Sequence, residues 1–307
     1  MALNLIFIGN PGNGKSTLLN ILSNGNHFEG GPSVGTGLTG EFEPKNYGGI
    51  WYMDTPGICD VDDAKRVTAC QELSRALKSE ETATRVYKVF FVIGEKSARS
   101  HLDDQGMFDQ VMDAVPELTG GNYGVIVNQV SDFFMKLPET GPPKSQTKQT
   151  FKTYLFVKHS QRSTPHVLFV PTIPAMKDVH SAQMDFAKLR DLAPIKEVLK
   201  FVDGVPSVHV TKENVADLDP RKTIEYLADA KKTATVLKEN EAKMAEMQKD
   251  IEERNTKIAE LQKAQKDGVG TGAKVGGIIG AVVGGPLGAG IGAGLGALGG
   301  LIADSSK

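Results

Sequence analysis

The sequence predicts a doubly wound α/β domain, with helices on both faces of a mainly parallel sheet. Three observations favour this fold class. Residues 3–8 form an apolar strand-type segment, a glycine-rich loop follows at once, and residues 17–22 then have a helical composition. A later strand-type segment, residues 49–53, ends in Asp54, which we expect at the same edge of the sheet as the loop.

Composition limits the classes of partner and compartment. The formal net charge of the 307-residue chain is −2, so no general basic field favours nucleic acid, and we expect no nucleic-acid partner. Cys59 and Cys70 give no disulfide or metal framework, which suits a reducing compartment. The N-terminal apolar segment is too short for a signal peptide and lacks a basic flank.

Residues 9–16 fit the phosphate-loop pattern GxxxxGK[ST] in its required context of strand, loop and helix. Glycines allow backbone N–H groups to curl around phosphate oxygens, and the start of the helix adds its unpaired N–H groups. Lys15 is predicted to reach the β- and γ-phosphates. The predicted nucleotide-binding residues are Gly9, Asn10, Pro11, Gly12, Asn13, Gly14, Lys15, Ser16, Thr17, Gly57 and Asn128.

Three oxygen-bearing residues form a predicted Mg²⁺ site: Ser16, Thr39 and Asp54. Thr39 lies in a glycine-rich stretch that is typical of a loop closing on Mg²⁺ and the γ-phosphate, with Thr36 as the alternative. Lys15 and Thr39 are the predicted catalytic residues. Asp54-Thr55-Pro56-Gly57 follows the strand, and the Gly57 N–H is predicted to donate to the γ-phosphate.

Residues 1–200 resemble the avirulence-induced or immunity-associated nucleotide-binding GTPases, relatives of septins and chloroplast import GTPases. The resemblance rests on the phosphate loop, residues 54–57, Phe28, the loop 33–39 and the box Arg99-Ser100-His101-Leu102-Asp103-Asp104, which is similar to the family's Arg-Phe-Thr-x-Glu-Asp signature. It implies a P-loop GTPase fold that binds GTP or GDP with Mg²⁺.

Two departures from that pattern affect catalysis and base recognition. Hydrolytic GTPases such as Ras place a water-orienting glutamine after the Asp-x-x-Gly element, where this chain has Ile58, so we expect slow hydrolysis. Asn128 begins a segment in which the family has a base-specifying aspartate, but this chain has Ser131, with Asp132 one place later. Guanine preference is therefore implied by the resemblance, and the segment itself leaves guanine and adenine open.

The remainder of the predicted domain is less distinct. We expect a helix over residues 105–115, an insertion over 136–163 with a strand-like island at 151–157, and helical spacing over 178–202. A glycine and a proline at Gly204 and Pro206 predict a domain boundary, which gives a GTPase domain over residues 1–204.

Residues 205–267 are predicted to form a helical, coiled-coil extension. A heptad spacing connects Leu237, Met244, Ile251 and Ile258, and no proline or glycine interrupts residues 223–266. The alternative is a solvated helix packed against the first domain.

Residues 268–307 are predicted to form a glycine-zipper tail. Glycine recurs at every fourth position from Gly268 to Gly300, and residues 275–303 carry no charged side chain. A helix would gather these glycines on one face, where a second helix approaches closely. The segment is long enough to span a bilayer, although a re-entrant hairpin, an oligomer contact and a disordered tail remain alternatives.

Together these features predict a GTP-binding, slowly hydrolysing switch that forms homo-oligomers through its nucleotide face, coiled coil and glycine zipper. Its tail would place it on the cytoplasmic face of a membrane. The alternative is a scaffold that holds nucleotide with little turnover.

The tail can be tested by replacing Gly280, Gly288 and Gly296 with leucine, which raises hydrophobicity but fills the groove. We expect liposome flotation to persist or improve while crosslinked oligomers in detergent are lost, because close helix packing requires the glycines. A chain truncated after Lys266 that still floats as well as the full chain would rule out the anchor.

Overall fold

The computed structural model describes residues 3–31, 39–58, 63–78, 84–96, 99–100, 102–142, 145–176 and 179–222, together with scattered helical positions between 225 and 260. The chain divides into two compact units, Met1–Lys231 and Lys232–Lys307. The first contains the sheet and the candidate site, and its description follows.

The strands of the first unit form one mainly parallel sheet, as predicted. Its order is β2-β3-β1-β4-β6-β7, in which β2 is an antiparallel edge strand and the other five run parallel; β5 and β8 each pair antiparallel with β4. The bounds are β1 Leu3–Ile8, β2 Glu43–Tyr47, β3 Ile50–Asp54, β4 Val86–Lys96, β5 Arg99–Ser100, β6 Tyr123–Val130, β7 Val167–Pro171 and β8 Val208–His209.

Helices cover both faces of this sheet, which confirms the doubly wound α/β class. Alternate residues of β1 point to opposite faces: Ile6 and Ile8 join a core with α2, α3 and α5, whereas Leu5 and Phe7 join one with α1 and α7. The helices are α1 Lys15–Ser23, α2 Asp63–Lys78, α3 Leu102–Ala114, α4 Asp132–Met135, α5 Lys148–Leu155, α6 Phe186–Arg190 and α7 Ala193–Gly204.

The strand-like island predicted at residues 151–157 is wrong, because most of it belongs to α5. The Thr147 side chain caps this helix by accepting a hydrogen bond from the Thr150 N–H. Phe151 and Leu155 are spaced by one helical turn and are both buried. The Phe151 ring packs edge-on against the Phe134 ring, with a centroid separation of 5.2 Å. The buried residues of this segment are therefore four positions apart, as in a helix, and not two apart, as in a strand.

The predicted boundary at residue 204 falls inside the first unit. Gly204 does end α7, but the chain returns to the sheet, where β8 pairs with the start of β4. Val210, Val215 and Leu218 are then buried in the core on the α2 and α3 face. Gly204 and Pro206 therefore mark the end of a helix and not the end of the domain, because the chain beyond them completes the sheet and the core.

Only scattered positions of the second unit are described, so the structure tests little of the predicted extension and none of the tail. The described positions between 246 and 260 are helical, and the Ile251 side chain is exposed. Leu237, Met244, Ile258 and the tail lie outside the described residues, so the coiled coil and the zipper stay predictions. Among the residues that the structure describes, no helix is long and apolar enough to cross a bilayer.

Candidate nucleotide-binding site

The loop between β1 and α1 has a backbone that only glycine tolerates at key positions. Gly14 has φ 85°, in the left-handed region, and a Cβ there would lie 2.6 Å from Asn128 Nδ2. Gly9 packs so closely on β4 that a Cβ would collide with the Val92 carbonyl oxygen. The N-cap of α1 is Gly14, which has no side chain to cap the helix, so the start of α1 offers backbone N–H groups to an anion.

A cavity of about 510 Å³ opens beside this loop. It is bounded by the start of α1, by Thr39 and Gly57, and by the carboxyl ends of β6 and β7. This is the edge at which open α/β sheets bind ligands. Of the predicted nucleotide-binding residues, the structure places Pro11, Gly12, Gly14, Lys15, Ser16, Thr17, Gly57 and Asn128 on the cavity wall.

Gly9, Asn10 and Asn13 do not line the cavity. The Asn10 and Asn13 side chains turn away from it and donate hydrogen bonds to Asp104, on α3. Any contact of these residues with a nucleotide would therefore come from the backbone of the loop.

The three predicted metal ligands meet at one point. Ser16 Oγ donates to Asp54 Oδ2 over 2.6 Å, and Thr39 Oγ1 donates to the same oxygen over 3.0 Å. Asp54 is 2% exposed, and burial raises the pKa of its carboxyl, with Lys15 and the two hydroxyl donors opposing that shift. Two hydroxyls and a carboxylate are hard oxygen ligands of the kind Mg²⁺ requires. Thr36, the alternative to Thr39, lies outside the described residues.

Lys15 is the cation of the site. Its Nζ donates to the Asn10 carbonyl over 3.2 Å, inside the turn of the loop. Burial lowers the pKa of this ammonium, while the charges of Asp54 and Asp104 act to raise it. Because Lys15 donates to a neutral loop carbonyl, it can exchange that acceptor for a phosphate oxygen when a nucleotide binds.

The end of the cavity beside the carboxyl end of β6, called the base end here, differs from that of a site with an aspartate at residue 131. Asn128 Nδ2 donates to the Asn13 carbonyl over 2.9 Å, and Gln129 Nε2 donates to the Gly12 carbonyl over 3.1 Å, so both hold the loop. Ser131 Oγ is engaged in capping α4, and Asp132 is the exposed first residue of that helix. Among the described lining residues, Glu29 alone carries a carboxylate.

Apolar residues that follow β7 form an apolar wall of the cavity, and they are not among the site residues predicted from the sequence. Three of them lie within residues 178–202, where the sequence predicted helical spacing but gave no sign of a role in the site. The wall consists of Ile173, Met176, Val179, Met184 and Ile195. The same segment holds the start of the glycine-rich loop: Ser181 N donates to the Gly30 carbonyl over 2.7 Å, and Gly30 N donates to Ser181 Oγ over 3.1 Å.

Comparison with known proteins supports a GTP-binding GTPase domain in the N-terminal part of the chain. Residues 4–119 match the family model described as 50S ribosome-binding GTPase, which covers well under half of the chain. The first unit therefore contains a P-loop GTPase domain with a mostly parallel sheet. No curated protein matches the chain. The finer resemblance to the avirulence-induced and immunity-associated GTPases stays a prediction.

Solved structures to which this chain is similar include one of Toc33 and two of Era. Toc33 from Arabidopsis thaliana, with GDP and Mg²⁺, has 13% identity and a TM-score of 0.39 over 68% of this chain and 88% of its own. Era from Aquifex aeolicus, with GDP·AlF₄⁻, has 20% identity and a TM-score of 0.38 over 71% and 63%. Era with MgGDPNP and a 16S ribosomal RNA fragment has 19% identity and a TM-score of 0.36 over 66% and 57%.

These likenesses are too distant to assign a function. This chain covers less than two thirds of either Era chain. One Era structure contains bound RNA, which is a property of Era. It gives no support to the prediction that this chain has no nucleic-acid partner.

Ser16→Ala tests the oxygen cluster. Removing this hydroxyl should lower the Mg²⁺-dependent gain in nucleotide affinity by about 10–100-fold, the usual effect of disturbing groups around a bound metal. Titration of a fluorescent GDP analogue with and without Mg²⁺ measures it. The matched control is Ser23→Ala on the same helix, whose hydroxyl bonds only backbone carbonyls of α1 among its described contacts. An unchanged Mg²⁺ effect in Ser16→Ala would refute the metal site.

Proposed function

We propose that this protein is a GTP-binding switch that hydrolyses GTP slowly and works as a membrane-associated oligomer. The observation that carries the nucleotide part is the convergence of Lys15 with the cluster of Ser16, Thr39 and Asp54 at the carboxyl edge of the sheet. The GTPase match over residues 4–119 supports the same chemistry.

The residues of the site fit GTP or GDP with Mg²⁺. Ser16, Thr39 and Asp54 would hold the metal, which supplies positive charge to the phosphate oxygens when bound. Lys15 and the backbone N–H groups of the loop would bind and orient the phosphates, and the apolar wall beyond β7 would exclude water from the base. Because Thr39 lies just after a glycine-rich stretch, its contact with this cluster offers a switch between nucleotide states.

The slow hydrolysis follows from residue 58. Ile58 is 1% exposed and packs in the core with Phe42 and Met53, so neither its chemistry nor its placement allows it to orient a water. A second copy facing the nucleotide would have to supply the missing group. Pairing across the nucleotide face, together with the coiled coil and the glycine zipper, is the oligomerisation we propose.

The proposed location is the cytoplasmic face of a membrane, and it rests on the glycine-periodic tail. An uncharged segment over residues 275–303 would bind the bilayer and concentrate the GTPase domains on one surface. A scaffold that holds nucleotide with little turnover is the second candidate, and the buried Ile58 favours it.

Lys15→Ala tests the phosphate loop. The substitution should reduce affinity for a fluorescent GTP analogue by about 100-fold or more, since it removes a charge-assisted contact to phosphate. Circular dichroism should show that the fold is kept. Lys148→Ala, which removes a lysine that pairs with Glu139 outside the cavity, should leave the affinity unchanged. Parent-like binding by Lys15→Ala would refute the assignment.

Turnover at several protein concentrations distinguishes the switch from the scaffold. The rate per molecule should be low in dilute protein and should rise with concentration, because Ile58 leaves one chain without a water-orienting group. Phosphate release measures the rate, and the Lys15→Ala variant serves as the blank for contaminating activity. A rate that stays near zero at every concentration favours the scaffold. A fast rate that does not depend on concentration would contradict the dimer requirement.

A further inference from the structure

Asp104 is a buried carboxylate on α3 that accepts hydrogen bonds from side chains of the phosphate loop. It lies in the first turn of α3 and is 1% exposed. Its Oδ1 accepts hydrogen bonds from Asn10 Nδ2 over 2.8 Å and from Asn13 Nδ2 over 2.9 Å. Its Oδ2 accepts from the Gly94 N–H near the end of β4, over 2.9 Å.

The two asparagines lie on the same turn of the loop as groups that face the ligand. The Asn10 carbonyl accepts from Lys15 Nζ, and the Asn13 carbonyl accepts from Asn128 Nδ2. The turn is closed by a bond from Asn13 N to the Asn10 carbonyl over 3.4 Å. By holding both side chains, Asp104 fixes the backbone that presents Lys15 and Asn128.

A carboxylate is an unfavourable choice for a group behind a phosphate site. Burial of a charge is costly unless hydrogen bonds compensate, and a negative charge near the loop repels the phosphates. That repulsion would favour a neutral residue if the position served packing alone. Unlike an apolar residue, a carboxylate has several acceptor positions, and those of Asp104 accept from Asn10, Asn13 and Gly94.

We propose that Asp104 is a positioning residue that preorganises the phosphate loop, and that nucleotide affinity depends on its hydrogen bonds to Asn10 and Asn13. The inference rests on the proposed nucleotide binding. Preorganisation of this kind raises affinity because the loop does not have to be ordered when the ligand binds. The position contributes most to ligands whose phosphates reach deep into the loop.

The test is a comparison of Asp104→Ala and Asp104→Asn by titration with fluorescent GDP and GMP analogues, each below the unfolding temperature of the variant. Alanine removes every acceptor, and we expect a loss of about 10–100-fold in GDP affinity. Asparagine keeps an acceptor for Asn10 and Asn13 but faces the Gly94 N–H with an amide, so its loss should be smaller. The loss should be greater for GDP than for GMP in both variants.

Two controls separate positioning from general stability. Asp109→Ala, on the same helix, removes an ion pair with Lys158 that does not involve the loop, and its GDP affinity should match that of the parent. The double variant Asn13→Ala with Asp104→Ala should lose less affinity than the sum of the two single losses, because the two changes share one hydrogen bond, although Asn13 Nδ2 also donates to the Val92 carbonyl over 3.0 Å.

The possible outcomes are distinct. Tighter or equal GDP binding by Asp104→Ala, or equal losses in the alanine and asparagine variants, would overturn the inference, because repulsion or charge would then dominate. If Asp104→Ala does not fold, the asparagine variant decides, and an affinity equal to that of the parent with an unchanged GDP-to-GMP ratio overturns it. A parent protein that binds neither analogue would instead refute the proposed function.

Discussion

The site depends on the electrostatic coupling of one buried cation to two buried carboxylates. Lys15 is 7% exposed, and the charges of Asp54 and Asp104 both act to raise its pKa, against the effect of burial. Hydrogen bonds with the loop help to compensate these charges: Asp104 accepts one from Asn10, and Lys15 donates one to the Asn10 carbonyl. The loop geometry, the glycines and the placement of α3 all follow from the need to satisfy these groups away from water.

Local chemistry explains why much of the site could be predicted from the sequence. A glycine loop between a strand and a helix has few functions when it ends in Lys15 and Ser16. Glycine is needed in this loop where the backbone has a positive φ, as at Gly14, or where it packs closely on a neighbouring strand, as at Gly9. The convergence of Ser16, Thr39 and Asp54 could also be predicted, since the strand β3 ends beside the strand that carries the loop. Their role as metal ligands stays a prediction.

Non-local contacts explain what the sequence left out. Asp104 is part of the box that supports the family resemblance, but its role could not be derived from the sequence, because its contact with Asn10 joins positions 94 residues apart. Residues 151–157 have an apolar pattern too short to distinguish a strand from a helix, and the packing of Phe151 against Phe134 decided it. The return of β8 to the sheet depended on an edge of β4 that no local signal marks.

We propose that this cavity holds a guanine nucleotide, although residue 131 is a serine where an aspartate is expected. The most direct measurement is the identification, by chromatography and mass spectrometry, of the nucleotide released when purified protein is denatured, followed by reloading with GDP or ADP. We expect GDP or GTP to be released and GDP to reload in preference to ADP. Release of an adenine nucleotide, or equal reloading by GDP and ADP, would contradict the proposal.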